Sequence, residues 1–115
     1  LNVVVESSNV SDFLDRSEVF FLLSRNEGQP LSILEALRAS LFVIATDVGC
    51  NSSMINDDNG LLIDISEQSI IDAFSTVIIE WDSYKSKGAN SLKLFKESFT
   101  EEKMYDSYLQ IFNSL

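Results

Sequence analysis

Five apolar residues in a row, Val19-Phe20-Phe21-Leu22-Leu23, give way to a polar stretch and then to Leu31, Leu34, Leu37 and Leu41 at helical spacing. A run that short suits a buried strand and is too brief for a helix. Gly28 and Pro30 punctuate the join. Pro30 is placed to open the helix, because the N–H it lacks would have no partner in a first turn. Strand, tight loop and core-facing helix, in that order, are the repeating unit of a parallel α/β sheet. In open sheets of this kind ligands bind at the carboxyl ends of the strands, where strand runs into helix. The N–H groups and positive dipole end of the following helix favour a phosphate or another anion. The stretch from Ser24 to Ala36 is therefore the candidate site.

Two glutamates bracket that loop. Glu27 lies within it, and Glu35 lies about one turn inside the helix. A carboxylate at a place that also favours anions needs a reason, and sugar hydroxyls supply one. A carboxylate accepts two hydrogen bonds and fits a vicinal diol, as the acidic residue of dinucleotide sites fits a ribose.

The rest of the chain alternates strands with helices. Leu1 to Val5 reads as a strand, and Val10 to Arg16 as a short helix capped by Asn9 or Ser11. Leu31 to Ser40 is the helix of the candidate site, and Leu41 to Ala45 the next strand. Asp47 to Ser53 is a loop in which Asn51, Ser52 and Ser53 could cap a short helix through Ile55. Asn56 to Gly60 is a dense turn signal before a strand at Leu61 to Ile63. Ser66 caps a helix with Glu67 in its first turn and an apolar stripe of Ile70, Ile71, Phe74, Val77, Ile78 and Trp81, expected to face the core. Asp82 to Ser98 follows as a more polar helix with Tyr84, Leu92 and Phe95 inward, weakened in the middle by Gly88. Thr100 caps the last helix, whose stripe of Met104, Tyr105, Tyr108, Leu109, Ile111, Phe112 and Leu115 is wide enough to cover two surfaces. The whole reads as one α/β, Rossmann-like unit with a parallel sheet and flanking helices.

What the chain lacks narrows the chemistry. Its 115 residues make one domain, not two. A net charge of −10, from 18 acidic and 8 basic residues, gives no basic face for a nucleic acid. With no His and a single Cys, histidine catalysis, histidine-ligated metals and an internal disulfide are all excluded for this segment. Cys50 reads as a small buried thiol. There is no Gly-x-Gly-x-x-Gly and no Gly-Lys-Ser/Thr phosphate loop. Nor is there an Asp-x-Asp pair to hold a metal–nucleotide complex. The chain opens on Leu1 and not Met, so a longer protein is expected around it.

Three blocks carry a resemblance. Glu27-Gly28-Gln29-Pro30-Leu31-Ser32-Ile33-Leu34-Glu35-Ala36 resembles the Glu-x7-Glu signature of the retaining GT-B glycosyltransferases called group 1, or family 4. Val43-Ile44-Ala45-Thr46-Asp47-Val48-Gly49 is similar to the family's next strand and glycine turn, and Asn59-Gly60-Leu61-Leu62-Ile63 to the strand after it. The likeness runs over nearly the whole chain, as the last part of the C-terminal, donor-binding domain of such an enzyme. Two departures stand out. Cys50 replaces the family's second glycine, and Ser40-Leu41-Phe42 stands where a Gly and a Pro commonly divide helix from strand.

The resemblance implies transfer of a glycosyl group from a nucleotide sugar to a sugar, lipid-linked or other acceptor, with retention and without a metal or other cofactor. Glu27 would bind the donor sugar's hydroxyls. Backbone N–H groups from Gly28 through Gln29 and Pro30 to Leu31 would surround sugar and diphosphate, less the one Pro30 lacks. Ser32 and Ile33 would line the phosphates, and Glu35 would hold the ribose. The family's cationic Arg and Lys belong to a block upstream of Leu1. This segment alone is therefore expected to be inactive, and its last helix to find a partner in the absent N-terminal domain or in another copy of the chain. A cytoplasmic enzyme is implied, reaching the inner face of the membrane through that N-terminal domain. A non-catalytic nucleotide-binding or regulatory module, and a generic interaction domain, are the other readings of the same fold.

Overall fold

The computed structural model describes residues 10–25 and 31–113. The predicted first strand, Leu1 to Val5, and the loop residues Glu27, Gly28, Gln29 and Pro30 lie outside the described residues. Three parallel strands form the sheet: β1 (Val19–Leu22), β2 (Phe42–Thr46) and β3 (Gly60–Ile63), in spatial order β1-β2-β3. Val19 pairs with Phe42 and Leu22 with Ala45 on one side of β2; Val43 pairs with Gly60 and Thr46 with Ile63 on the other. Every residue of β2 is buried, as a central parallel strand covered on both faces must be.

Alternate residues of the strands feed two cores. Phe20, Leu22, Val43, Ala45 and Leu62 look toward helices α1 (Val10–Asp15) and α2 (Leu31–Arg38), through Leu14, Ile33, Ala36 and Leu37. Val19, Phe21, Phe42, Ile44, Leu61 and Ile63 look the other way, toward α3 (Glu67–Ile79) and α4 (Trp81–Tyr84). Phe21 stacks on Phe74 with ring centroids 4.0 Å apart, and Phe42 meets Tyr84 edge-on at 5.2 Å.

Ser66 and Thr100 cap as predicted, whereas Asn51 to Ser53 do not cap a helix but are themselves a 3-10 turn, preceded by Cys50 and with no side-chain cap hydrogen bond. Ser66 Oγ accepts the N–H of Ser69 at 3.1 Å, and Thr100 Oγ1 that of Lys103 at 3.2 Å, at the start of α6 (Glu101–Asn113). The Asn56 to Gly60 turn is held by its own side chains: Asn59 Oδ1 accepts Asn56 N–H and Asn56 Oδ1 accepts Asp58 N–H, both at 2.8 Å.

Other expectations need correction. Helix α2 ends at Arg38, not Ser40, and the following strand begins one residue late. Ser40 adopts φ 64°. Its N–H reaches Leu37 C=O and the N–H of Leu41 reaches Ala36 C=O, both at 3.1 Å. That pair of bonds is a Schellman closure, normally completed by glycine. Leu41 is thereby spent on ending the helix and cannot begin the strand.

The predicted Asp82 to Ser98 helix changes pitch along its length. It is α4, a 3-10 turn (Lys85–Lys87), α5 (Gly88–Leu94) and a π-helical turn (Phe95–Phe99). Gly88 is no simple weakness. A Cβ there would stand 2.2 Å from the Ser40 carbonyl oxygen, so glycine is what lets α5 touch the end of α2. Ser91, wholly buried, donates from Oγ to Leu41 C=O at 2.6 Å across the same contact.

The stripe on α3 is only partly internal. Ala73 and Val77 are buried, whereas Ile71 and Ile78 are 50% and 71% exposed. At about 100° per residue, Ile78 and Ile71 sit roughly 100° and 120° round from Val77, beyond the arc a flat sheet can cover. On α6, Tyr105 and Leu109 are exposed. The side chains of Tyr108, Ile111 and Phe112, and all of Leu115, lie outside the described residues.

Candidate functional site

The carboxyl ends of the strands lie together because all three strands run in parallel. Past β1 come Ser24 and Arg25, and the described chain resumes at Leu31 with the first turn of α2. Leu31 is exposed there, Ser32 is half-buried and Ile33 is wholly buried among core residues. Only the main chain of Ile33 can therefore meet a ligand. A helix leaves its first four N–H groups without partners inside the helix, so the turn from Leu31 to Leu34 offers donors toward the loop.

Glu35 is exposed and lines a cleft of about 340 Å³ with Leu14, Asp15, Arg38 and Ala39, between α1 and α2. Arg25 lies on a different cleft, of about 370 Å³, with Ile65, Ser66, Glu67, Ile70 and Ile71 at the start of α3. The structure thus brings Glu35 and Arg38 together and separates both from Arg25. Arg38 escaped the sequence reading, although its position three residues after Glu35 puts the two on one helix face.

Past β2, the chain turns at Gly49 with φ 55°. Cys50 follows at φ −91°, ψ 10°, which an ordinary residue can adopt, so the position does not need the family's second glycine. Cys50 is exposed, not the buried thiol expected from its size. The loop leads outward before it re-enters the fold at Asn51, which is wholly buried.

Two polar residues at this end were invisible as site residues in the sequence. Thr46 closes an otherwise apolar strand and is fully buried. Its Oγ1 accepts the N–H of Ser24 at 3.1 Å and donates to the C=O of Ser24 at 2.6 Å. Asn51 Nδ2 donates to the Thr46 carbonyl at 2.8 Å, while Asn51 Oδ1 is buried with no partner. Among the described residues, no three His, Cys, Asp or Glu side chains converge on a point that could hold a metal ion. Among them, too, no helix is long and apolar enough to cross a membrane.

A family model described as "Glycosyl transferases group 1" matches residues 2–113. The chain is 29% identical over 105 residues to the O-antigen chain mannosyltransferase C of Escherichia coli, covering 89% of this chain and 28% of that one. It is 27% identical over 116 residues to the lipopolysaccharide core biosynthesis mannosyltransferase LpsB of Rhizobium meliloti (strain 1021), covering 97% and 33%. Among solved structures it superposes on the C-terminal domain of the group 1 glycosyl transferase LpcC of Francisella tularensis with a TM-score of 0.71 and 27% identity, over 88% of this chain and 53% of that one. The chain spans about a third of the length of these curated relatives.

Proposed function

Because this chain belongs to the group 1 glycosyl transferases, we propose that it forms the donor-binding part of an enzyme that moves a glycosyl group from a nucleotide sugar to an acceptor, with retention. The observation that carries this reading is that α2 is the next described element past the carboxyl end of β1, inside the family match. The diphosphate takes the N–H groups of the first turn, with Ser32 beside it and Ile33 contributing its main chain. Glu27 accepts hydrogen bonds from the hydroxyls of the donor sugar, with Gly28, Gln29, Pro30 and Leu31 forming the wall around it. Glu35, which is exposed, accepts from the ribose diol.

Bond breaking leaves negative charge on the departing nucleoside diphosphate. Preorganised donors aimed at that charge are the largest catalytic contribution such a site can make. Within this segment the helix N-terminus is the main donor, and a net charge of −10 works against it. The main cationic groups are therefore assigned to sequence outside this segment.

The test is a transfer assay on the full-length protein with a panel of UDP- and GDP-activated hexoses. Glu27→Ala should lower turnover about ten- to a hundredfold, since a hydrogen bond to a charged partner contributes roughly 1.5–3 kcal/mol. Glu35→Ala should raise KM for the donor more than it lowers kcat, because the ribose does not migrate. Wild-type kinetics for Glu27→Ala would overturn the assignment. Nucleotide binding without transfer would instead mark a non-catalytic module.

A further inference from the structure

Asn59 and Gly60 are the one Asn-Gly pair in the chain. In such a pair the glycine nitrogen can attack the asparagine amide, because glycine puts no side chain in the way. The fold dictates both residues. A Cβ at position 60 would overlap the Val43 carbonyl oxygen at the first pair of the β2–β3 ladder, so glycine is what lets the strands meet there. Asn59 is 1% exposed and uses both ends of its amide. Its Oδ1 accepts the N–H of Asn56 at 2.8 Å, and its Nδ2 donates to the C=O of Met54 at 3.0 Å. An ionised aspartate has no donor for that second bond. The same surroundings restrain the reacting atoms. The Gly60 N–H is donated to Asn56 C=O at 2.9 Å, and the Asn59 carbonyl accepts the N–H of Val43 at 3.1 Å. Cyclisation needs the Gly60 nitrogen stripped of its proton and the Asn59 amide turned onto it, so these bonds must open first.

We propose that Asn59 is a deamidation site sealed by the folded state and opened by unfolding, and that its products bar the chain from folding again. In the unfolded chain the Gly60 nitrogen bonds to Asn59 Cγ. The Cγ–Nδ2 bond breaks, and Nδ2 leaves as ammonia with the proton that the Gly60 nitrogen gives up. A succinimide ring remains. Water opens it at one carbonyl to give aspartate, or at the other to give isoaspartate, in which the main chain runs through the former side chain. Neither product suits the site. Aspartate sets a carboxylate against the Met54 carbonyl that Nδ2 had satisfied, at a position closed to water. Isoaspartate lengthens the backbone by one carbon immediately before β3 and displaces that strand against β2. Chemistry on the unfolded chain is what makes unfolding irreversible in such a case. The inference is independent of the glycosyltransferase reading.

The experiment holds the full-length protein at mildly alkaline pH, native in one arm and unfolded in guanidinium chloride in the other. Peptide mapping by mass spectrometry follows aspartate and isoaspartate at position 59. They should form at least about a hundredfold more slowly in the native arm, because the open state is a minute fraction of the native population. Equal rates in the two arms would overturn the proposal. Samples of the unfolded arm are then diluted into native buffer, and the folded and unfolded fractions are separated and mapped. The folded fraction should carry at least about tenfold less modification at position 59 than the fraction that stays unfolded. Equal occupancy in the two fractions would also overturn it. Asn59→Asp, made directly, checks one product alone. Its folded-to-unfolded ratio in a denaturant titration should fall at least about tenfold below that of wild type, and wild-type stability would count against the proposal.

Discussion

Replacing Gly88 with alanine sets two physical effects of opposite sign against each other. Helix propensity favours alanine by up to about 1 kcal/mol. The contact with Ser40 opposes it. The new Cβ would sit 2.2 Å from the Ser40 carbonyl oxygen and 3.2 Å from its carbonyl carbon. Close carbon–oxygen contacts lie near 3.3–3.6 Å, so the methyl is roughly 1 Å too near. Neither side can yield by turning a side chain, because Ser40 is locked by the closure of α2 and Gly88 is helical backbone. Overpacking of this kind costs about 1–3 kcal/mol. Backing α5 away by about 1 Å would also stretch the Ser91 to Leu41 hydrogen bond past its useful range, for roughly another 1–3 kcal/mol at a buried pair. The net expectation is a loss of about 1–5 kcal/mol, seen as a fall in Tm of roughly 4–20 °C. Chemical and thermal unfolding, followed by circular dichroism, measure it. A variant as stable as wild type, or more so, would show that propensity outweighs the contact and that the close approach to Ser40 does not hold in solution.

Two further outcomes are expected. Ser40→Gly should stabilise the protein by about 0.5–1 kcal/mol, because relief of the left-handed backbone outweighs the extra freedom glycine gives the unfolded chain; an unchanged or lowered Tm in a thermal shift assay would contradict this. The 115-residue segment alone should bind UDP- or GDP-sugars no more tightly than about millimolar and transfer nothing, since a few hydrogen bonds of about 1 kcal/mol each give no more than that. Micromolar binding by isothermal calorimetry, or donor turnover above background, would mean that the groups outside the segment matter less than proposed.

Local signals in the sequence translated well into structure. Ser66 and Thr100 cap helices because capping is settled within three residues, and the strand and helix of the candidate site lie where their apolar spacing placed them. What the sequence concealed depends on distant neighbours. Ser40 looks like an ordinary helix residue until Leu41 is seen closing back on Ala36. Gly88 looks like a helix breaker until Ser40 is found against it. Five apolar residues on α3, with Trp81 at the start of α4, look like one face, yet which of them are covered depends on how wide the sheet beside them is. Within the site, Glu35 and its helix were legible, and Arg38 could have been read from its place three residues on along the same helix, whereas the cleft partner Asp15 required the docking of α1 on α2. Thr46 was hidden because a β-branched residue at the end of a strand needs no further explanation. Cys50 was misjudged from size alone, when a loop turning outward decided its exposure.

The corner where α2 meets α5 would also work as a lever. Helix α2 has 8 residues and is therefore about 12 Å long. Its middle is bedded in the core by Ile33, Ala36 and Leu37, while its far end abuts the backbone of Gly88. A rigid rod pivoting about its centre carries a push at one end to the other at nearly full size and in the opposite direction. The end that moves is the first turn, where the donor is proposed to bind. Substitutions at that corner, far from the proposed donor site, would then retune the rate of the proposed transfer without touching its chemistry.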